Sequence, residues 1–326
     1  MDRRRFLAAA AAVPIALAVD PRAVAARLGG TPLAFVTADL ESHIVVLDLQ
    51  TGEPVERIRT TPGPRSIEAI LGSSAVVAHT EHGVVSLIGI TPLGVRAELD
   101  GFEAPRYTCV RPPTPDRQTS SIAYVTDSAR EEVVTLDVGR AKVLWRTRVP
   151  GPARHISISA DGDTLWTALG TKAERLAVLD ARNPRRPRLV RTISPPFLAH
   201  DVVFAPDGRT VWVTSGAERR IAIYRGERRP LRVIAADAPP QHVAFSDSKA
   251  FVASGDDGTL RRHRLDGELV REVRVPVGSY NVTFAFGRIV TPSLGQGTVS
   301  LLDRNGRVRT VRRVARAAHD ACILVT

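Results

Sequence analysis

The chain has 326 residues, 44% hydrophobic and only 5% aromatic, enough for one large closed β-architecture or for two smaller domains. Its formal charge is +11, and only Lys142, Lys172 and Lys249 among its 45 basic residues are lysine. The arginines are dispersed among Asp and Glu without an aromatic platform beside them, which argues against a nucleic-acid partner.

The first element is an address. Asp2-Arg3-Arg4-Arg5-Phe6-Leu7 precedes an apolar run from Ala8 to Val19, and Ala23-Val24-Ala25 offers small residues for cleavage. The run is short, rich in alanine and broken by Pro14, so it does not read as a membrane span. Paired arginines, a spacer and two hydrophobes resemble the twin-arginine export signal. Residues 1–25 are therefore expected to be a signal peptide and 26–32 a linker. The mature chain is expected in the periplasm, cell envelope or medium, as a monomer without a transmembrane span.

From Leu33 onward one pattern recurs. Its clearest column lies just before a β-run: Pro64-Arg65-Ser66, Pro105-Arg106-Tyr107, Ala153-Arg154-His155, Ala199-His200-Asp201, Pro240-Gln241-His242, Ser279-Tyr280-Asn281 and Ala318-His319-Asp320. A period near forty built from strand-like segments predicts a β-propeller, one blade per repeat. In the fifth unit, 200–205, 210–214, 221–224 and 231–234 read as strands, with Pro206-Asp207-Gly208 as a turn. The repeats open on a second-type strand, Leu33-Ala34-Phe35-Val36, and close on a first-type strand, Ala321 to Val325. Residues 33–326 are thus expected to form an all-β, seven-bladed propeller with four antiparallel strands per blade. The C-terminal strand should complete the first blade, three strands plus one. Cys109 and Cys322 fall at equal depth on non-neighbouring blades, too far apart for a disulfide, and are expected to be small buried hydrophobes.

Phe204-Ala205-Pro206-Asp207-Gly208-Arg209-Thr210-Val211-Trp212-Val213-Thr214 resembles the repeat of YVTN-type, lactonase-like seven-bladed propellers. Ile158 to Thr167 and Tyr124-Val125-Thr126-Asp127 are further matches. The resemblance implies the fold, and it implies either a binding scaffold, a lactone hydrolase or a subunit of a redox assembly.

Chemistry is expected where the innermost strands begin, because side chains from every blade converge there. One ring holds Arg65, Arg106, Arg154, His200, Gln241, Tyr280 and His319, and the next holds Ser66, Tyr107, His155, Asp201, His242, Asn281 and Asp320. Four of the eight histidines fall in these positions. Three guanidiniums suit a carboxylate or phosphate. His155, His200, His242 and His319 are candidate ligands for a divalent metal, and the His-Asp pairs are candidate acid–base groups. The same residues also suit a wetted channel whose polar groups bond the loops between blades. No Cys-x-x-Cys-His occurs, so covalent haem is excluded. His79-Thr80-Glu81-His82 lies in a predicted turn and Gly255-Asp256-Asp257-Gly258 reads as a hairpin. With no complete catalytic constellation, the expected function is binding of a small anionic ligand or a protein partner at the channel mouth. The alternatives are a lactonase-like hydrolase, metal-assisted or not, and a redox subunit that needs a haem or copper partner.

Overall fold

The computed structural model describes residues 30–70, 74–113, 121–226, 228–246 and 248–325. Residues 1–25, where a signal peptide is expected, lie outside them. Seven sheets of four antiparallel strands make a ring, each blade running from an inner strand to an outer one. Blade one is Ala318–Val325, Pro32–Ala38, His43–Asp48 and Pro54–Arg59. The inner strands of blades two to seven are Ser66–Ile70, Pro105–Val110, Ala153–Ile158, Val202–Phe204, Val243–Ser246 and Thr283–Ala285. The C-terminal strand therefore closes the first blade: Phe35 pairs with Cys322 and Val36 with Ala321. No helix among the described residues is long and apolar enough to cross a membrane.

Alternation of branched and small residues lets each sheet bury both faces against its neighbours. The apolar clusters accordingly lie between blades. Trp166 of blade four and Tyr224 of blade five, both buried, stand 5.4 Å apart across one such boundary. Trp212 does the same toward Phe245 of blade six at 5.6 Å. Cys109 and Cys322 are buried and free, as expected.

Turn chemistry accounts for the aspartate columns. Asp207 accepts the Arg209 and Thr210 amides at 3.0 and 2.8 Å, and Gly208 takes the left-handed conformation, φ +67°, that the turn requires. Asp303 likewise accepts the Asn305 and Arg307 amides at 2.9 and 3.0 Å. The outermost strands are arginine-rich and largely exposed, as in Leu269–Arg274, which discourages strand addition at the rim.

A second set of polar side chains stitches four of the inner strands to the next blade. Asp320 of blade one accepts the Ile67 amide of blade two at 3.0 Å. Ser157 of blade four accepts Phe204 N of blade five at 3.0 Å, and Asp201 of blade five accepts Val243 N of blade six at 3.2 Å. Asn281 of blade seven donates to the His319 carbonyl of blade one at 2.7 Å.

Candidate functional site

The fourteen predicted positions separate into four groups. The densest is a histidine cluster. His155, His200 and His242, from blades four, five and six, each offer a ring nitrogen, and these atoms lie within 4.8 Å of one another. Ring centroids stand 4.5 Å apart for His155–His200, 4.8 Å for His155–His242 and 5.5 Å for His200–His242. Tyr107 of blade three covers His155 at 4.0 Å, tilted by 36°.

Two of these rings are held through Nδ1. His200 Nδ1 lies 3.3 Å from the Thr171 carbonyl, which can only accept, so that nitrogen carries the proton. His242 Nδ1 lies 3.4 Å from Asp201 Oδ2. A neutral imidazole contacted through Nδ1 keeps a lone pair on Nε2, the arrangement that supports a metal-binding imidazole. His155 differs: it is 1% exposed, and neither ring nitrogen makes a hydrogen bond of normal geometry, although the His200 backbone lies close by. A buried imidazole with both nitrogens unmet forfeits the bonds it made to water. Burial, followed by the neighbouring His200 and His242, holds its pKa well below the usual histidine value. Burial and His242 push His200 down to about 4. Near neutral pH both are therefore uncharged, the form that binds a metal.

The second group is the arginine arc. Arg65, Arg106 and Arg154 enter from blades two, three and four, and the Nε of each is buried without a partner. Arg65 reaches Asp39 at 3.3 Å. Arg154 Cζ stands 5.9 Å from the Tyr107 ring centroid. Arg106 has its pKa lowered by burial, then by the charges of Arg154 and Arg65.

The third group belongs to the scaffold. Asp201, Asn281 and Asp320 are the interblade stitches described above, and Asp201 doubles as the partner of His242. Gln241 and Tyr280 both fasten on Asp256: Gln241 Nε2 donates to Oδ2 and the Tyr280 hydroxyl to Oδ1, each at 3.0 Å. Tyr280 also lies over Gly255, where an added Cβ would meet its ring at 2.4 Å. The Gly255–Gly258 hairpin thus packs against these side chains and takes them out of the central cluster. Ser66 is buried with its hydroxyl unbonded.

The fourth group corrects the metal assignment for one residue. His319 does not join the other three histidines: its Nδ1 lies 3.4 Å from Asp39 Oδ2. Burial alone would raise the Asp39 pKa, but His319 and then Arg65 outweigh it and the carboxylate is held below its usual value. The turn motif is also placed: buried His79 contacts the Pro62 carbonyl at 3.2 Å and the Ser86 hydroxyl at 2.9 Å, a structural role.

Residues outside the repeat columns complete the picture. Asp39, Asp256 and Thr171 sit in loops and carry no periodic signal. Glu68 lies two residues beyond Ser66 on the inner strand of blade two. Burial, then Asp320, push its carboxyl up to about 8.

No family model matches the chain, and no characterised protein matches it by sequence. Solved structures do match. A protein of unknown function from Desulfotomaculum acetoxidans DSM 771 is 16% identical, with 90% of this chain and 98% of that one covered at a TM-score of 0.76. Kuenenia stuttgartiensis hydrazine synthase is 18% identical over 82% of this chain and 91% of that one, TM-score 0.70. AztD from Citrobacter koseri is 13% identical, covering 91% and 98%, TM-score 0.69, and its apo structure is 14% identical over the same shares, TM-score 0.67. At such identities the likeness speaks to fold, and together with the closed ring of seven sheets it establishes this chain as a seven-bladed β-propeller with AztD among its structural neighbours.

Proposed function

We propose that this propeller is an exported binding scaffold that takes a divalent transition metal at His155, His200 and His242. The observation that carries the reading is His155, buried among two other imidazoles with neither nitrogen properly bonded. A metal at about 2.0–2.1 Å from each nitrogen in tetrahedral geometry needs those atoms about 3.4 Å apart. The donor atoms need to close by up to about 1.4 Å, within the reach of side-chain rotation, and no hydrogen bond of normal geometry holds His155 back. Three imidazoles with no thiolate suit zinc, copper, nickel or iron better than calcium or magnesium. The rigid ring sets the three donors, and a fourth ligand position is left for water or a ligand.

Three protein ligands and an open position also form the donor set of catalytic zinc sites. That favours, as a second reading, the lactonase-like hydrolase, with Asp201 orienting His242. The two readings part on turnover. Purified protein loaded with zinc binds one equivalent in both, but only the hydrolase opens lactones in a chelator-sensitive manner. Protein that takes up no metal at neutral pH contradicts both.

A further inference from the structure

The arginine arc beside the histidines has no job in holding a metal, and its geometry is costly as it stands. Three guanidiniums from consecutive blades converge, and each keeps a buried Nε without an acceptor. Asp39 is the only carboxylate they meet among the described residues: it pairs with Arg65 at 3.3 Å and is shared with His319 at 3.4 Å. Neither Arg106 nor Arg154 forms an ion pair with a carboxylate among the described residues. Buried donors on permanent cations are normally met, because an unmet one forfeits its bonds to water. The mutual repulsion also shows in Arg106, whose proton affinity is lowered by Arg154 and Arg65 after burial itself.

We propose that Arg65, Arg106 and Arg154 form a pocket for a small oxyanion, a carboxylate or phosphate, that binds together with the metal as a cation–anion pair. The coupling rests on the metal reading above; the pocket does not. Tyr107 joins the two halves, with its ring 4.0 Å from that of His155 and 5.9 Å from the Arg154 guanidinium carbon. A divalent cation so near three guanidiniums is opposed by them unless a negative group lies between. Guanidinium forks suit the paired oxygens of carboxylate and phosphate, and one further oxygen can fill the open position on the metal. Such a propeller would capture a metal already carrying its anionic chelator, and would hold the bare ion less well.

Calorimetry on the full chain, first stripped of metal and then zinc-loaded, tests this with sulfate and malonate as probes. Sulfate stands for a tetrahedral phosphate-like anion and malonate for a carboxylate, so the tighter probe names the ligand class. At least one is expected to bind the stripped protein, and at least fivefold more tightly after zinc loading. By reciprocity the same anion must tighten zinc by the same factor. Arg106→Gln is expected to weaken the anion at least tenfold. Arg106→Lys, which keeps the charge but loses the fork, should fall between, and the exposed Arg182→Gln should match wild type. Melting curves confirm that each variant is folded. No anion binding in either state, or equal binding by Arg106→Gln, overturns the pocket. Anion affinity that is the same with and without zinc overturns the coupling. Anion binding that depends on Arg106 in a protein that takes no zinc keeps the pocket and rejects the metal.

Discussion

Asp201 joins two blades and one imidazole: its Oδ2 lies 3.4 Å from His242 Nδ1 and accepts the Val243 amide at 3.2 Å, while Oδ1 accepts Val202 N at 2.8 Å. A carboxylate fixed by two backbone amides is a firm support for a histidine ligand. Replacing such a support typically costs ten- to a hundredfold in metal affinity. Asp201→Asn should therefore weaken zinc by about that factor, measured by competition with a chromophoric chelator. Unchanged affinity would show that Asp201 serves the blade junction alone.

The latch gives a stability prediction. The C-terminal strand pairs with Pro32–Ala38 and sends Asp320 to the Ile67 amide of blade two. Removing residues 319–326 exposes the inner edge of Pro32–Ala38 and strips Phe35 of its partner Cys322. The truncated chain should fail to give a cooperative melt at the wild-type temperature. A truncation that melts like the full chain contradicts a ring closed by this strand.

Glu68 predicts a pH dependence. Its carboxyl is pushed up from 4.5 to about 8, by burial and then by Asp320. The folded protein therefore keeps a proton that the unfolded chain releases as pH rises. Stability is unaffected below about pH 4.5, falls between there and about pH 8, and is flat above. The full shift at about 1.4 kcal/mol per unit is an upper bound, because the side chain is only half-buried. Glu68→Gln should thus be more stable than wild type at pH 8 by about 1–3 kcal/mol and similar to it at pH 4.5, by urea denaturation. Parallel profiles for the two proteins would refute this.

Much of the architecture was legible in the sequence because the blades repeat. Seven polar strand starts, the aspartate turns and the odd strand at each end predict the ring and its latch. The histidine cluster was only half legible. His155 and His242 share a column, but His200 comes from the preceding one. Blades five and six begin their inner strands in the same register, at Val202 and Val243, and His200 and His242, one place apart in the sequence pattern, still meet with ring centroids 5.5 Å apart. The partners Asp39, Thr171 and Asp256 were not legible, since loops differ from blade to blade and periodicity says nothing about them. The loss of Gln241 and Tyr280 to Asp256 and the separation of His319 follow from those loop residues.

The expected export signal makes a prediction of its own. In a host with the twin-arginine machinery, the full chain should appear outside the cytoplasm. Replacing Arg3 and Arg4 together by lysine should retain it inside. Fractionation with immunoblotting reads the outcome, and equal export of both forms would remove the twin-arginine reading.

Native mass spectrometry of the purified protein with zinc tests the central claim most directly. One zinc per chain is expected in the wild type, with His155→Ala, His200→Ala and His242→Ala each losing it and His319→Ala retaining it. A wild-type protein that carries no metal, or the same stoichiometry in His155→Ala, would contradict the three-histidine site.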